Sequence, residues 1–293
     1  MKIAFLCPYF GTFPKHIQLW LNSCATNKDT TYFLFTDDKQ KLNYPDNFVV
    51  KYMTLNELKN FFQSKFNFEL SLSGVYKLGD YKPLYGYLFE DLIKDYDAWG
   101  YLDVPDEICG DVSAFVNEKV FLKADKLMAR GHMTIFKNTP EVNKRFMADT
   151  GEKFNYKDIF SSEHFFNFEE IAKGSISWIY INNKWKMDLL NDAVADVSGL
   201  FYDFRRSCVS EKLEYYRPSK VPSIYARENG KIYGYFLENG KVIKREYLYL
   251  HFKRRKMKIN VPLDSDQYLI VPNGFEPYTE VTADVIKQYA KKK

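Results

Sequence analysis

The chain has 293 residues, 46% of them apolar, enough to bury a substantial core in one α/β unit with appended elements. Its net charge of +4 comes from 42 basic residues dispersed among 38 acidic ones, which excludes the single dominant basic patch of a nucleic-acid binder. No apolar run approaches the roughly 18 to 20 residues that span a bilayer, and the run from Met1 to Cys7 stops at Pro8, too short for a secretory leader.

Lys2 to Cys7 predicts a first strand that opens into a turn at Pro8-Tyr9-Phe10-Gly11. Pro14 then starts a helix in which Ile17, Trp20, Leu21 and Cys24 share one apolar face. Thr31 to Phe35 is a second strand ending in Thr36-Asp37-Asp38. A β-α-β beginning predicts parallel strands whose loops gather at one sheet edge, where open α/β sheets bind ligands. Pro8, Tyr9 and Asp37 fall at that edge and are nucleotide-binding candidates. Phe48 to Met53 predicts a third strand, and Leu55, Leu58, Phe61 and Phe62 an amphipathic helix. The segment 66–79 is ambiguous, with Ser71, Ser73 and Gly74 favouring a loop. Asp80-Tyr81-Lys82-Pro83 then stands at the start of a helix carrying Leu84, Leu88 and Leu92, with Pro83 in its first turn.

Trp99-Gly100-Tyr101-Leu102 reads as a buried strand running into three closely spaced acids, Asp103, Asp106 and Glu107, on a turn marked by Pro105. Crowded carboxylates repel one another unless a cation sits between them, so the stretch reads as a divalent-metal site. Asp and Pro are also ordinary turn residues, and a plain acidic turn is the competing reading. Phe115 to Leu122 predicts a helix. In the strand from Arg130 to Asn138, Gly131 permits close backbone approach and His132 and Thr134 share one face. Thr139-Pro140-Glu141 starts a further helix that Gly151 closes.

Residues 152–220 are less readable. Glu163 to Glu170 embeds acids among aromatics, where apolar surroundings would raise a carboxyl pKa towards that of a general base; two surface acids at a helix start is the other reading. From Ile224 the pattern is a β-meander, with hairpin turns at Asn229-Gly230 and Asn239-Gly240. A last strand, Glu246 to Phe252, leads into the basic run Lys253 to Lys258. Cys7, Cys24, Cys109 and Cys208 lack paired metal spacing and read as reduced core thiols, which predicts a soluble, cytoplasmic protein. Lys287 and Lys291 to Lys293 predict at most a peripheral contact with the inner membrane surface.

The stretches GDYKPLYGYLFED, YDAWGYLDVPDEICGDVSAF and RGHMTIFKN, with the late strand ending at His251 and its basic run, resemble bacterial polysaccharide glycosyltransferases of the GT-A fold that carry an Asp-x-Asp motif. The resemblance runs from the first strand to about residue 273. It implies a Rossmann-type mixed sheet with helices on both faces over residues 1–222, and a β-meander and tail over 223–293 that complete the site. It further implies Mn²⁺ or Mg²⁺ held by Asp103, Asp106 and His251, and a nucleotide pocket lined by Asp80 and Lys82. Gly131, His132 and Thr134 would face the donor sugar, Lys253 and Arg254 the diphosphate, and Glu170 or Glu169 the acceptor hydroxyl. The activity implied is transfer from a nucleotide-diphosphate sugar, expected to be a UDP-sugar, to a lipid-linked or oligosaccharide acceptor in a growing surface polysaccharide. One departure is that Val104 and Pro105 both lie between Asp103 and Asp106, one residue more than Asp-x-Asp, so Asp103 reaches a metal only if the backbone bulges there. Two alternatives stay open. One is a carbohydrate-binding or scaffold protein with a degenerate site. The other is a metal-dependent phosphoryl or nucleotidyl transferase, which the lack of a G-x-x-x-x-G-K-[ST] loop disfavours.

Overall fold

The computed structural model describes residues 1–197, 199–218, 220–253 and 255–290. Ile3–Pro8 is buried at every position but the last, as a strand covered on both faces must be. It pairs in parallel with Thr30–Thr36 on one side and Ala98–Tyr101 on the other, and Thr30–Thr36 pairs in parallel with Phe48–Tyr52. Beyond Ala98–Tyr101 the sheet changes direction: Thr134–Lys137 and Lys126–Leu127 run antiparallel in turn, and Met187–Asp188 closes a seven-stranded mixed sheet. Side chains alternate across it. Ile3, Phe5 and Cys7 pack with Ile17, Trp20, Leu21 and Cys24 of the helix Ile17–Cys24. Ala4 and Leu6 belong to the opposite layer, with Leu58 and Phe62 of the helix Leu55–Gln63. Thr54 and Glu57 start that second helix by exchanging side-chain and backbone bonds, satisfying two donors that a helix start otherwise leaves unpaired. The architecture is therefore mixed α/β.

Three expected helices are broken. After Pro83 the chain makes short turns, Lys82–Leu84, Tyr85–Leu88 and Glu90–Ile93, interrupted at Phe89 (φ −107°, ψ 23°), whose ring stacks on Phe35 at 4.7 Å. The expected helix 115–122 is two turns, Val112–Phe115 and Glu118–Phe121, because Asp111 and Asn117 each cap a fresh start. The helix expected to run to Gly151 is a 3₁₀ stretch, Val142–Met147, ended by Ala148 in extended conformation.

The meander is present. Ser223–Glu228, Lys231–Glu238 and Lys241–Tyr247 pair antiparallel, and both Asn-Gly turns have positive φ at each residue, as a type I′ hairpin requires. Tyr268–Val271, Gly274–Pro277 and Lys258–Ile259 extend this sheet to six strands. The helix Ala283–Ala290 covers one face of it through Ile286.

A third sheet joins the two regions. Tyr249–His251 lies between Val194–Val197, to which it is parallel, and Glu107–Cys109, to which it is antiparallel. The register sets His251 opposite both Asp196 and Glu107. Arg206–Val209 and then Tyr215–Tyr216 complete the five strands. All four cysteines are buried and free, and Cys24 lies 3.6 Å from Cys109 between sulfurs. Among the described residues no helix is long and apolar enough to cross a membrane.

Candidate functional site

At the carboxyl ends of the parallel strands lies a cleft of about 440 Å³. Pro8 and Tyr9 line it from the first strand, Asp103 and Asp106 from the acidic turn, and Lys82, Gly131, Glu169 and Glu170 from the opposite side. The close spacing of acids in the sequence thus becomes one negatively charged wall, and the Val104–Pro105 peptide within it is cis.

Asp103 has a different partner at each oxygen. Its Oδ1 accepts a short hydrogen bond from Lys82 Nζ, which also donates to the Gly131 carbonyl at 2.7 Å. Burial pulls the Lys82 ammonium down, but Asp103, Glu169 and Glu107 outweigh it and raise its pKa above the ordinary lysine value. Asp103 Oδ2 faces His251 Nε2 at 3.7 Å. That separation is too long for a hydrogen bond and lies within the roughly 3–4 Å expected between two ligands of one divalent ion.

The His251 ring is held from behind. Its Nδ1 is 3.0 Å from Asp196 Oδ1. A carboxylate can only accept, so Nδ1 carries a proton and Nε2 is the ring nitrogen turned towards Asp103. Asp196 Oδ2 accepts from Arg130 at 2.6 Å and lies 3.5 Å from Lys253 Nζ. Burial works against the Asp196 charge, yet the His251 hydrogen bond and the electrostatic pull of the two imidazoles and the Arg130 guanidinium hold its carboxyl well below the usual range. His132 stacks on His251, with ring centroids 4.4 Å apart, and its Nδ1 is 2.7 Å from the Tyr249 hydroxyl. Burial, then the neighbouring His251, pushes the His132 pKa well down, so the imidazole is neutral at neutral pH.

Two carboxyls are pushed the other way. Glu107 is fully buried, accepts from the Asp103 backbone N–H at 2.6 Å, and is raised well above the usual range by burial and then by Asp103. Glu169 is raised to about 8, first by burial and then by Glu170, against the pull of Lys82. Among the described residues its Oε2 is buried with no hydrogen-bond partner. Glu170 instead accepts from the Tyr215 hydroxyl at 3.0 Å. Gly131 lets both acids approach, since a Cβ there would stand 2.7 Å from Glu169 Cγ and 2.8 Å from Glu170 Oε1.

Other sequence candidates lie elsewhere. Asp80 is fully buried, bonded to Lys77 Nζ at 2.8 Å and to the backbone N–H groups of Phe166 and Phe168; these bonds tie down the Glu169 segment and leave no carboxylate face for a nucleotide. Asp37 is exposed and accepts from Gly11 N–H at 2.8 Å, fixing the loop after the first strand. Thr134 is buried and donates to the Arg130 carbonyl, while Asn138 bonds the carbonyls of Ile93 and Tyr96. The face expected to meet a sugar through His132 and Thr134 is therefore internal. Lys253 reaches Asp196, and Arg254 lies outside the described residues.

Two sets of groups are candidates to hold a divalent ion. His132, Asp196 and His251 offer one ligand atom each within 4.8 Å of one another. Arg130 and Lys253, however, already neutralise Asp196, so a further cation there meets two positive charges. In the second set Asp103 and Asp106 line the cleft while the buried His251 reaches Asp103 from behind, and Asp196 bonds the far ring nitrogen as the orienting partner of a metal-bound histidine does; among the described residues only the first set brings three ligand atoms within 4.8 Å of one another. Two carboxylates and an imidazole are donors of the kind a divalent ion accepts. Asp196, Arg130 and Tyr249 were not singled out in the sequence. An acid inside Val194-Ala195-Asp196-Val197 is itself a signal, because a charge in an apolar strand needs a buried partner.

A family model described as a family of unknown function (DUF6625) matches residues 5–279. No curated protein matches the chain.

Proposed function

The chain belongs to this family, and we propose that it is a metal-dependent glycosyltransferase of GT-A type using a nucleotide-diphosphate sugar, with a UDP-sugar as the first donor to test. The observation that carries the reading is the His251 imidazole, fixed by buried Asp196 and presented to Asp103 across 3.7 Å at the carboxyl ends of parallel strands. The strand arrangement, parallel at Ile3–Pro8 and reversed beyond Ala98–Tyr101, supports it. In this reading Pro8 and Tyr9 bound the nucleotide, and Asp103, Asp106 and His251 would hold Mn²⁺ or Mg²⁺. A bound ion would supply charge stabilisation to the departing diphosphate. Lys82, which lines the same cleft, adds fixed positive charge near it. Glu169, with a pKa of about 8 and an unpartnered oxygen, suits removal of a proton from an acceptor hydroxyl. The acceptor class is a growing surface glycan, free or lipid-linked.

Calorimetric titration of UDP, GDP and CDP, first with Mn²⁺ and then with EDTA, tests the reading. Metal-dependent binding of one diphosphate, lost in His251→Ala and in Asp106→Ala, is the expected result. Lack of binding by all three would reject it. The Lys82–Asp103 pair favours a second reading, a carbohydrate-binding protein in which an ammonium replaces the metal. Sugar binding indifferent to metal and nucleotide would select that one.

A further inference from the structure

We propose that a second cleft, on the far side of Glu170, binds the acceptor, and that this acceptor is an acidic glycan bearing carboxylate or phosphate. The assignment of this cleft to an acceptor rests on the transferase reading; its preference for an acidic glycan rests on its own lining. The cleft holds about 380 Å³, within the range of about 300–1,000 Å³ usual for small-ligand sites.

Tyr215 and Tyr216 form the outermost strand of the five-stranded sheet and are 51% and 45% exposed. The two rings alternate across the strand yet both line this cleft, and each offers an apolar face with a polar rim of the kind on which a sugar ring packs. Arg217 and Lys253 complete the wall, and no carboxylate lines it among the described residues. Lys253 shares its charge with Asp196 at 3.5 Å, whereas Arg217 rests on the Phe201 ring with Cζ 5.2 Å from the centroid and has no ion-pair partner among the described residues. A planar guanidinium so placed matches a carboxylate or phosphate bidentately.

Position gives the lining its meaning. Tyr215 is the partition between the two clefts: its ring lies 5.7 Å from the Arg130 guanidinium and 5.5 Å from Lys253 Nζ, while its hydroxyl donates to Glu170, which lines the first cleft. A glycan lying on the tyrosines would therefore bring its end to the acids that face the donor.

The test titrates the full-length chain with an oligoglucuronate, a phosphorylated maltooligosaccharide, an uncharged maltooligosaccharide of equal length, and inorganic phosphate. At least one acidic oligosaccharide is expected to bind about tenfold more tightly than the uncharged one, a difference that Arg217→Gln removes and Arg217→Lys partly restores. Whichever acidic probe binds identifies the anionic group. Tyr216→Ala, at an exposed position, is expected to weaken all oligosaccharides together and leave nucleoside diphosphate binding unchanged. Equal binding of charged and uncharged chains, an unaltered preference in Arg217→Gln, or inorganic phosphate binding as tightly as the acidic oligosaccharides would overturn the proposal. Should nucleoside diphosphates fail to bind while the acidic preference holds, the transferase reading falls and the acidic-glycan groove stands.

Discussion

Asp196 holds His251 with one oxygen and Arg130 with the other, and its side chain has no exposed surface. In Asp196→Asn the buried guanidinium loses its counter-charge, which costs about 3–5 kcal/mol when one partner of such a pair is removed. Urea denaturation is expected to show a loss of that size. The freed imidazole should also weaken metal-dependent diphosphate binding by about 10–100-fold, the usual effect of losing a ligand's orienting carboxylate. Glu169 makes a prediction in pH. Its pKa rises from 4.5 to about 8 on folding, so between those values the folded chain holds a proton that the unfolded chain has released. This contribution to stability is present below pH 4.5 and is lost as pH rises to about 8. Glu169→Gln, which cannot ionise, is therefore expected to melt at a progressively higher temperature relative to the natural chain across that window, and a constant difference would contradict it. Asp103, Asp106 and Lys82 were legible because close charges announce themselves in a sequence. Asp196 and Arg130 were not, because 66 residues separate them: Asp196 belongs to no motif, and Arg130 opens RGHMTIFKN without any local partner to mark it.

The hairpin elements were legible for a local reason: an Asn-Gly pair specifies its own backbone. Gly240 has φ of +78° and open space around a would-be Cβ, so Gly240→Ala pays only backbone strain, about 1–2 kcal/mol, with no effect on ligand binding. Thermal unfolding beside a diphosphate titration checks both halves. Gly131→Ala should do the reverse. Its added methyl meets the side chains of Glu169 and Glu170, so the carboxylates shift, and binding is expected to suffer more than stability. The helices after Pro83 and near residues 117 and 148 were misjudged because a periodic apolar pattern does not register where a ring turns aside to stack, as Phe89 does on Phe35, or where an Asn caps a new turn.

At the scale of the whole molecule, the two segments read from the sequence as a domain and an appendage share a sheet. Removing residues after 222 withdraws Tyr249–His251 from between Val194–Val197 and Glu107–Cys109, leaving two strand edges open. Such a fragment is expected to aggregate, and size-exclusion chromatography of residues 1–222 checks this; a monodisperse, cooperatively melting fragment would contradict it. The β-α-β opening predicted the α/β class, but no local pattern could show that a strand beyond the meander returns to the middle of an earlier sheet, since such pairing is fixed only by tertiary burial. That insertion makes the chemistry conditional. The cleft walls come from the first two-thirds of the chain, but the imidazole meets Asp196 across 55 residues, and its neighbour Tyr249 meets His132 across 117. Contacts of such long range form late, after their loop-closure entropy has been met. A chain still emerging from the ribosome, or one clipped within the meander, would thus display the acids without the imidazole, and whatever this centre does is withheld until synthesis has passed His251.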